Sequence, residues 1–84
     1  METNILGIKL KNRTETAVEL QDILTKYGCS IRSRIGLHDN AAGEVDDHGI
    51  ILLELTGDLS EQQNLENALK NLNGVQVQKM GFVE

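Results

Sequence analysis

The sequence predicts an α+β sandwich: a four-stranded antiparallel sheet with two helices on one face, in the order strand, helix, strand, strand, helix, strand. Three observations predict it. Apolar residues alternate with period two in four short segments; two stretches with helical apolar spacing lie between the first and second and between the third and fourth of them; and each helical stretch opens on a capping sequence, Asn12-Arg13-Thr14 in one and Ser60 in the other. The same strand-helix-strand unit runs twice.

The first strand shows Leu6, Ile8 and Leu10 alternating with Ile5, Gly7 and Lys9, so one face turns toward a core. Asn12 can cap the following helix and Glu15, three residues on, completes a capping-box spacing. Ala17, Leu20, Ile23, Leu24 and Tyr27 form the buried stripe of that helix, and Gly28 supplies a left-handed stop. From Cys29 the alternation returns: Cys29, Ile31, Ser33, Ile35 and Leu37 point one way, Ser30, Arg32, Arg34, Gly36 and His38 the other. Residues 39–48 carry turn formers and acid without a sustained period, which predicts a long hairpin connection.

The third strand, Ile51, Leu53 and Leu55 against Ile50, Leu52 and Glu54, is apolar on both sides over its first half, the pattern of an inner strand covered on both faces. Gly57-Asp58 and Ser60 with Gln63, again a capping-box spacing, announce the second helix, whose stripe is Leu65, Ala68, Leu69 and Leu72, and Asn73-Gly74 closes it. Val75 and Val77 begin a last strand that continues toward Met80 and Phe82, its register interrupted by Lys79. Right-handed crossovers then place both helices on one side of the sheet with the first and third strands central, a ferredoxin-like βαββαβ arrangement.

Composition bounds the function. The 84 residues are read as one domain, residues 1–84, whose core is thin, since a chain of this size class buries only about 60% of its unfolded surface. Thirteen acidic against eight basic side chains, a formal net charge of −5, disfavour direct binding of nucleic acid or of an anionic membrane. The basic residues concentrate in the first half and the acidic ones in the second, which predicts a basic and an acidic end. One cysteine, no signal-peptide pattern and no apolar run of membrane-spanning length predict a cytoplasmic location. Cys29 itself reads as a small buried hydrophobe.

Few residues point to chemistry. Asn12, Arg13 and Thr14 can hold a small ligand together with the first N–H groups of the helix, which favour anions, or can simply cap it. Arg32 and Arg34, on one side of a strand, can clamp a carboxylate or phosphate, or pair with Glu54 on the neighbouring strand. His38 and His48 flank Asp39, Asp46 and Asp47, donors a divalent metal can recruit, without a recognised metal-ligand spacing. No nucleophile has a sequence-local base and no phosphate-binding glycine loop is present, so the sequence predicts neither an enzyme nor a cofactor. Ile50 and Leu52, the outer residues of the doubly apolar strand, are the candidate interface with a second copy, in a homodimer or tetramer.

The run Asn12-Arg13-Thr14-Glu15 through Leu24-Thr25-Lys26-Tyr27-Gly28-Cys29-Ser30-Ile31 resembles the opening of an ACT domain, with Asn12, Arg13, Ile23, Leu24, Tyr27, Gly28 and Ile31 matching the family pattern. Arg34-Ile35-Gly36 and the Asn-Gly-Val before the last strand resemble more narrowly the stand-alone ACT-like proteins described as regulators of the iron-only hydrogenase system. The resemblance implies a small regulatory or sensory module that binds a ligand at a subunit boundary. Thr14 and Glu15 stand where amino-acid-binding members carry Pro and Gly, so a cation, an amine or a partner subunit suits that turn better than a free amino acid's carboxylate. A metal-responsive protein using the His38–His48 segment is the alternative.

Overall fold

The computed structural model describes residues 2–11, 13–37 and 49–83, and of residues 13–15 only the backbone. Its elements are β1 (Glu2–Leu10), α1 (Arg13–Lys26), β2 (Ile31–Leu37), β3 (Gly49–Leu55), α2 (Leu59–Lys70) and β4 (Val75–Val83). The strands form one antiparallel sheet in the order β2-β3-β1-β4, with β3 and β1 central, the βαββαβ ferredoxin-like topology.

Alternation along the inner strands builds the core. Leu6, Ile8 and Leu10 of β1 and Leu53 and Leu55 of β3 point to one face, where Leu20 and Leu24 of α1 and Leu65 and Leu69 of α2 close over them. All nine are buried, and Ile23, Tyr27, Leu72, Val75 and Val77 pack around their margin. The α1 stripe is rotated from the expected one: Thr16 is buried and Ala17 exposed. On α2, Gln62 and Glu66 join the buried leucines while Ala68 is only half covered.

Both helix boundaries differ from the sequence expectation. Asp58, not Ser60, caps α2: its Oδ1 accepts from the Ser60 N–H at 2.8 Å and from the Ser60 hydroxyl at 2.7 Å. These two bonds, side chain first, hold the Asp58 carboxyl below its ordinary pKa. Gln63 turns along the helix to donate to Asn67 instead of closing a capping box. After α1 the chain makes a short 3-10 helix, Gly28–Ser30, so Gly28 is not a left-handed stop and Cys29 is exposed rather than buried. Among the described residues the left-handed glycines are Gly57 (φ 81) and Gly74 (φ 74), at the entry to α2 and to β4. The Gly74 carbonyl accepts the Lys11 N–H at 2.8 Å, tying the end of β1 to the start of β4.

β4 runs beside β1 without interruption from Val75 opposite Leu10 to Val83 opposite Glu2. Lys79 keeps the alternation by lying opposite Leu6, and Met80 and Phe82 fall on the other face with Ile5 and Thr3. Of the charges expected to form two ends, Asp39, Glu44, Asp46, Asp47 and the Arg13 side chain lie outside the described residues; among the described ones Arg32 of the first half stands 3.8 Å from Glu54 of the second.

Candidate functional site

One irregularity in β2 decides the site. Ile31 lies opposite Leu55, but Ser33 lies opposite Glu54, the very next residue of β3, so a bulge adds one residue at Arg32. An extra residue moves everything after it to the other side of the sheet. Arg34 and Gly36 therefore stand opposite Leu53 and Ile51 on the helix side, whereas Ile35 and Leu37 stand opposite Leu52 and Ile50 on the face without helices.

The two candidate arginines consequently do not share a face. Arg32 stays on the open side, with Nη2 donating to the Thr56 hydroxyl at 3.5 Å and Nη1 at 3.8 Å from Glu54, which also accepts from Ser33 at 3.2 Å. Both are exposed enough that this pair contributes little to stability. Arg34 reaches toward α1, where its Nη2 donates to Gln21 Oε1 at 3.0 Å. A joint clamp by Arg32 and Arg34 within one chain is excluded by this geometry.

Arg34 instead heads a groove of about 280 Å³ between α1 and the β2 edge. Leu10, Ala17, Leu20 and Ile51 make its apolar wall, Gln21 fixes the guanidinium, and Gly36 keeps the passage clear, with no atom within 4 Å of the place a Cβ would take. Leu37 and Ile50 complete the lining. An apolar cleft with one convergent cation is the usual form of a small-ligand site. Arg34 is legible from the sequence but its neighbours are not, because Gln21 and the groove depend on the bulge and have no local signal. Asn12 and the side chains of Arg13 and Thr14 lie outside the described residues, as do His38, Asp39, Asp46, Asp47 and His48. Among the described residues no group of His, Cys, Asp or Glu side chains is placed to hold a metal ion.

Among the described residues the face opposite the helices carries seven apolar side chains, and of these Ile35, Leu37, Ile50, Met80 and Phe82 are between 41% and 55% exposed. Ile50 and Leu52, the candidate interface pair, both lie on it. A second feature without a signal in the sequence is a polar pair inside the helix-sheet layer. Asn4 and Gln62 are buried; Asn4 Nδ2 donates to Gln62 Oε1 at 3.0 Å, and Gln62 Nε2 donates to the Gly57 carbonyl at 3.0 Å.

The architecture places the chain in a class of small α+β sandwiches, ACT-like and PII-like in fold. Among solved structures it is similar to an uncharacterised protein from Thermotoga maritima, with a TM-score of 0.82 and 21% identity over 99% of this chain and 100% of that one. It is also similar to a protein from Thermus thermophilus described as PII-like and signalling, with a TM-score of 0.65 and 6% identity over 98% and 88% of the two chains. A formyltetrahydrofolate deformylase from Pseudomonas putida matches with a TM-score of 0.55 and 13% identity over 93% of this chain, which spans only 28% of that enzyme. At these identities the likeness is one of fold. No family model matches the chain, and no curated protein matches it. No helix among the described residues is long and apolar enough to cross a membrane.

Proposed function

We propose that the protein is a non-catalytic cytoplasmic regulatory module whose self-association responds to a small ligand, a regulator of the kind its resemblance to the iron-only hydrogenase system proteins implies. The observation that carries this reading is that the Arg34 groove and the open apolar face share Leu37 and Ile50. A ligand entering the groove meets two residues whose side chains, on the opposite face, a second copy would cover. Binding and assembly are thereby linked, and each biases the other by the same free energy. The PII-like fold of a protein described as signalling supports the same class of role.

The groove suits a short aliphatic carboxylate, its chain against Leu10, Leu20 and Ile51 and its charge on the Arg34 guanidinium. Calorimetric titration with a series of branched and linear C4 to C6 carboxylates tests this, using the natural chain and Arg34→Ala. Binding by the natural chain that is lost in the variant is the expected result. Equal binding by both, or none by either across the series, overturns the assignment of the groove.

A further inference from the structure

The open face is not uniformly apolar. In the registers of the sheet its apolar side chains run along a diagonal, from Leu37 and Ile50 at one corner, through Leu52 and Ile5, to Met80 and Phe82 at the opposite corner. The other two corners are polar. One holds Lys9, Gln76 and Gln78; the other holds Arg32, Ser33 and Glu54. Near the middle, Gly7 leaves a hollow in which an added Cβ would meet a Leu52 methyl at 3.7 Å.

A diagonal band limits how a second copy can cover it. In a face-to-face pair the twofold axis lies in the plane between the sheets. An axis along the strands, or straight across them, makes the band cross its copy, so most of its apolar surface meets amides and charge. An axis perpendicular to the band lays band on band but sets each polar corner against itself, Lys9 facing Lys9. An axis along the band also lays band on band, and it exchanges the corners: Lys9 and the two glutamines meet Arg32, Ser33 and Glu54. This last arrangement lays band on band without setting either polar corner against itself: Lys9 meets a corner in which Arg32 and Glu54 together are neutral, and the two glutamines offer hydrogen bonds to that pair.

We propose that two copies of the chain pack open face to open face about a twofold axis along the Leu37–Phe82 diagonal, with Lys9 of each subunit against the Glu54 corner of the other. This rests on the self-association reading above and adds its geometry. Strands of the two sheets cross steeply, the orthogonal way of stacking sheets. Band burial supplies the affinity, and the charged corners fix the orientation. Leu37 and Ile50 lie at one end of the axis, so the Arg34 grooves of both subunits fall at that end, each on the outer, helix-bearing side of its own sheet.

Sedimentation equilibrium of the full chain, at low and at moderate salt, tests the geometry with Lys9→Glu, Glu54→Lys and the double variant, circular dichroism confirming that each is folded. Glu54→Lys leaves two cations in the corner that faces Lys9, and Lys9→Glu brings a second carboxylate against Glu54. Each is expected to weaken the dimer about tenfold, most clearly at low salt and more strongly for Glu54→Lys, because Arg32 partly offsets the other reversal. Because Glu54→Lys also removes the contact with Arg32 in its own chain, the double variant decides: it is expected to regain most of the lost affinity. A natural chain that remains monomeric at high micromolar concentration overturns both the self-association reading and this geometry. A dimer that is indifferent to the single reversals, or that the double variant fails to restore, overturns the geometry alone.

Discussion

The two faces of this sheet are made by the same strands and follow opposite rules. On the helix side Leu6, Ile8, Leu53 and Leu55 are sealed under α1 and α2, and two of the buried polar residues there, Asn4 and Gln62, are hydrogen bonded to each other. On the open side the apolar residues lie in a band between polar corners, and several remain close to half exposed. The difference teaches what each face is for. A core needs continuous burial and satisfied polar groups, whereas the face offered to a second copy in the proposed dimer needs pattern, since charge and amides placed beside an apolar band fix orientation.

The sharpest way to break that contrast is a pair of substitutions on neighbouring residues of β3. Leu53→Ala opens a cavity beneath both helices and is expected to cost about 2–5 kcal/mol in urea unfolding. Leu52→Ala, one residue away on the open face, is expected to cost the folded monomer less than about 1.5 kcal/mol while weakening self-association. Equal losses of monomer stability would show that the faces are not distinct.

A smaller effect sharpens the polar side of the covered face. Asn4→Ala leaves the Gln62 carbonyl oxygen buried without its donor and is expected to cost about 1–3 kcal/mol. Gly81→Ala would set a Cβ 3.1 Å from Asn4 Oδ1, so it is expected to destabilise the natural chain. In the Asn4→Ala background that penalty shrinks, and the double-mutant cycle reports the coupling.

The smallest effect is at Asp58, on the exposed entry to α2. Its folded-state pKa is lowered, so its contribution is fully present above the unfolded carboxyl's pKa and is lost as pH falls through the folded value. Asp58→Ala is expected to lower the melting temperature slightly at neutral pH, and the gap between variant and natural chain should close in acid. A gap that persists at the acid end would mean that capping by the carboxylate is not its cause.

Much of this fold is legible in the chain itself. β1, β3 and the leucine stripe of α2 follow directly from spacing, because a period of two or of three to four fixes which side chains share a face. The cap of α2 falls two residues before the expected one because Asp58 and Ser60 are both good caps, and only backbone geometry shows which oxygen meets the free N–H groups. The regular register of β4 is obscured in the sequence by Lys79, a charged residue on the covered side but on an edge strand, where it lines the rim with Glu2 and Gln63.

β2 shows where reading ends. Cys29 to Leu37 alternates plausibly in one unbroken register, and nothing in composition distinguishes that register from one displaced by a single residue. The bulge at Arg32 displaces it, moving Arg34 into the α1 groove and Ile35 and Leu37 onto the open face. The chain by itself determined the order of elements and the covered core, since hydrophobic periodicity is a local property. Pairing with Leu55 and Glu54 decided the groove and the diagonal band, since the register of one strand is settled only by the backbone beside it.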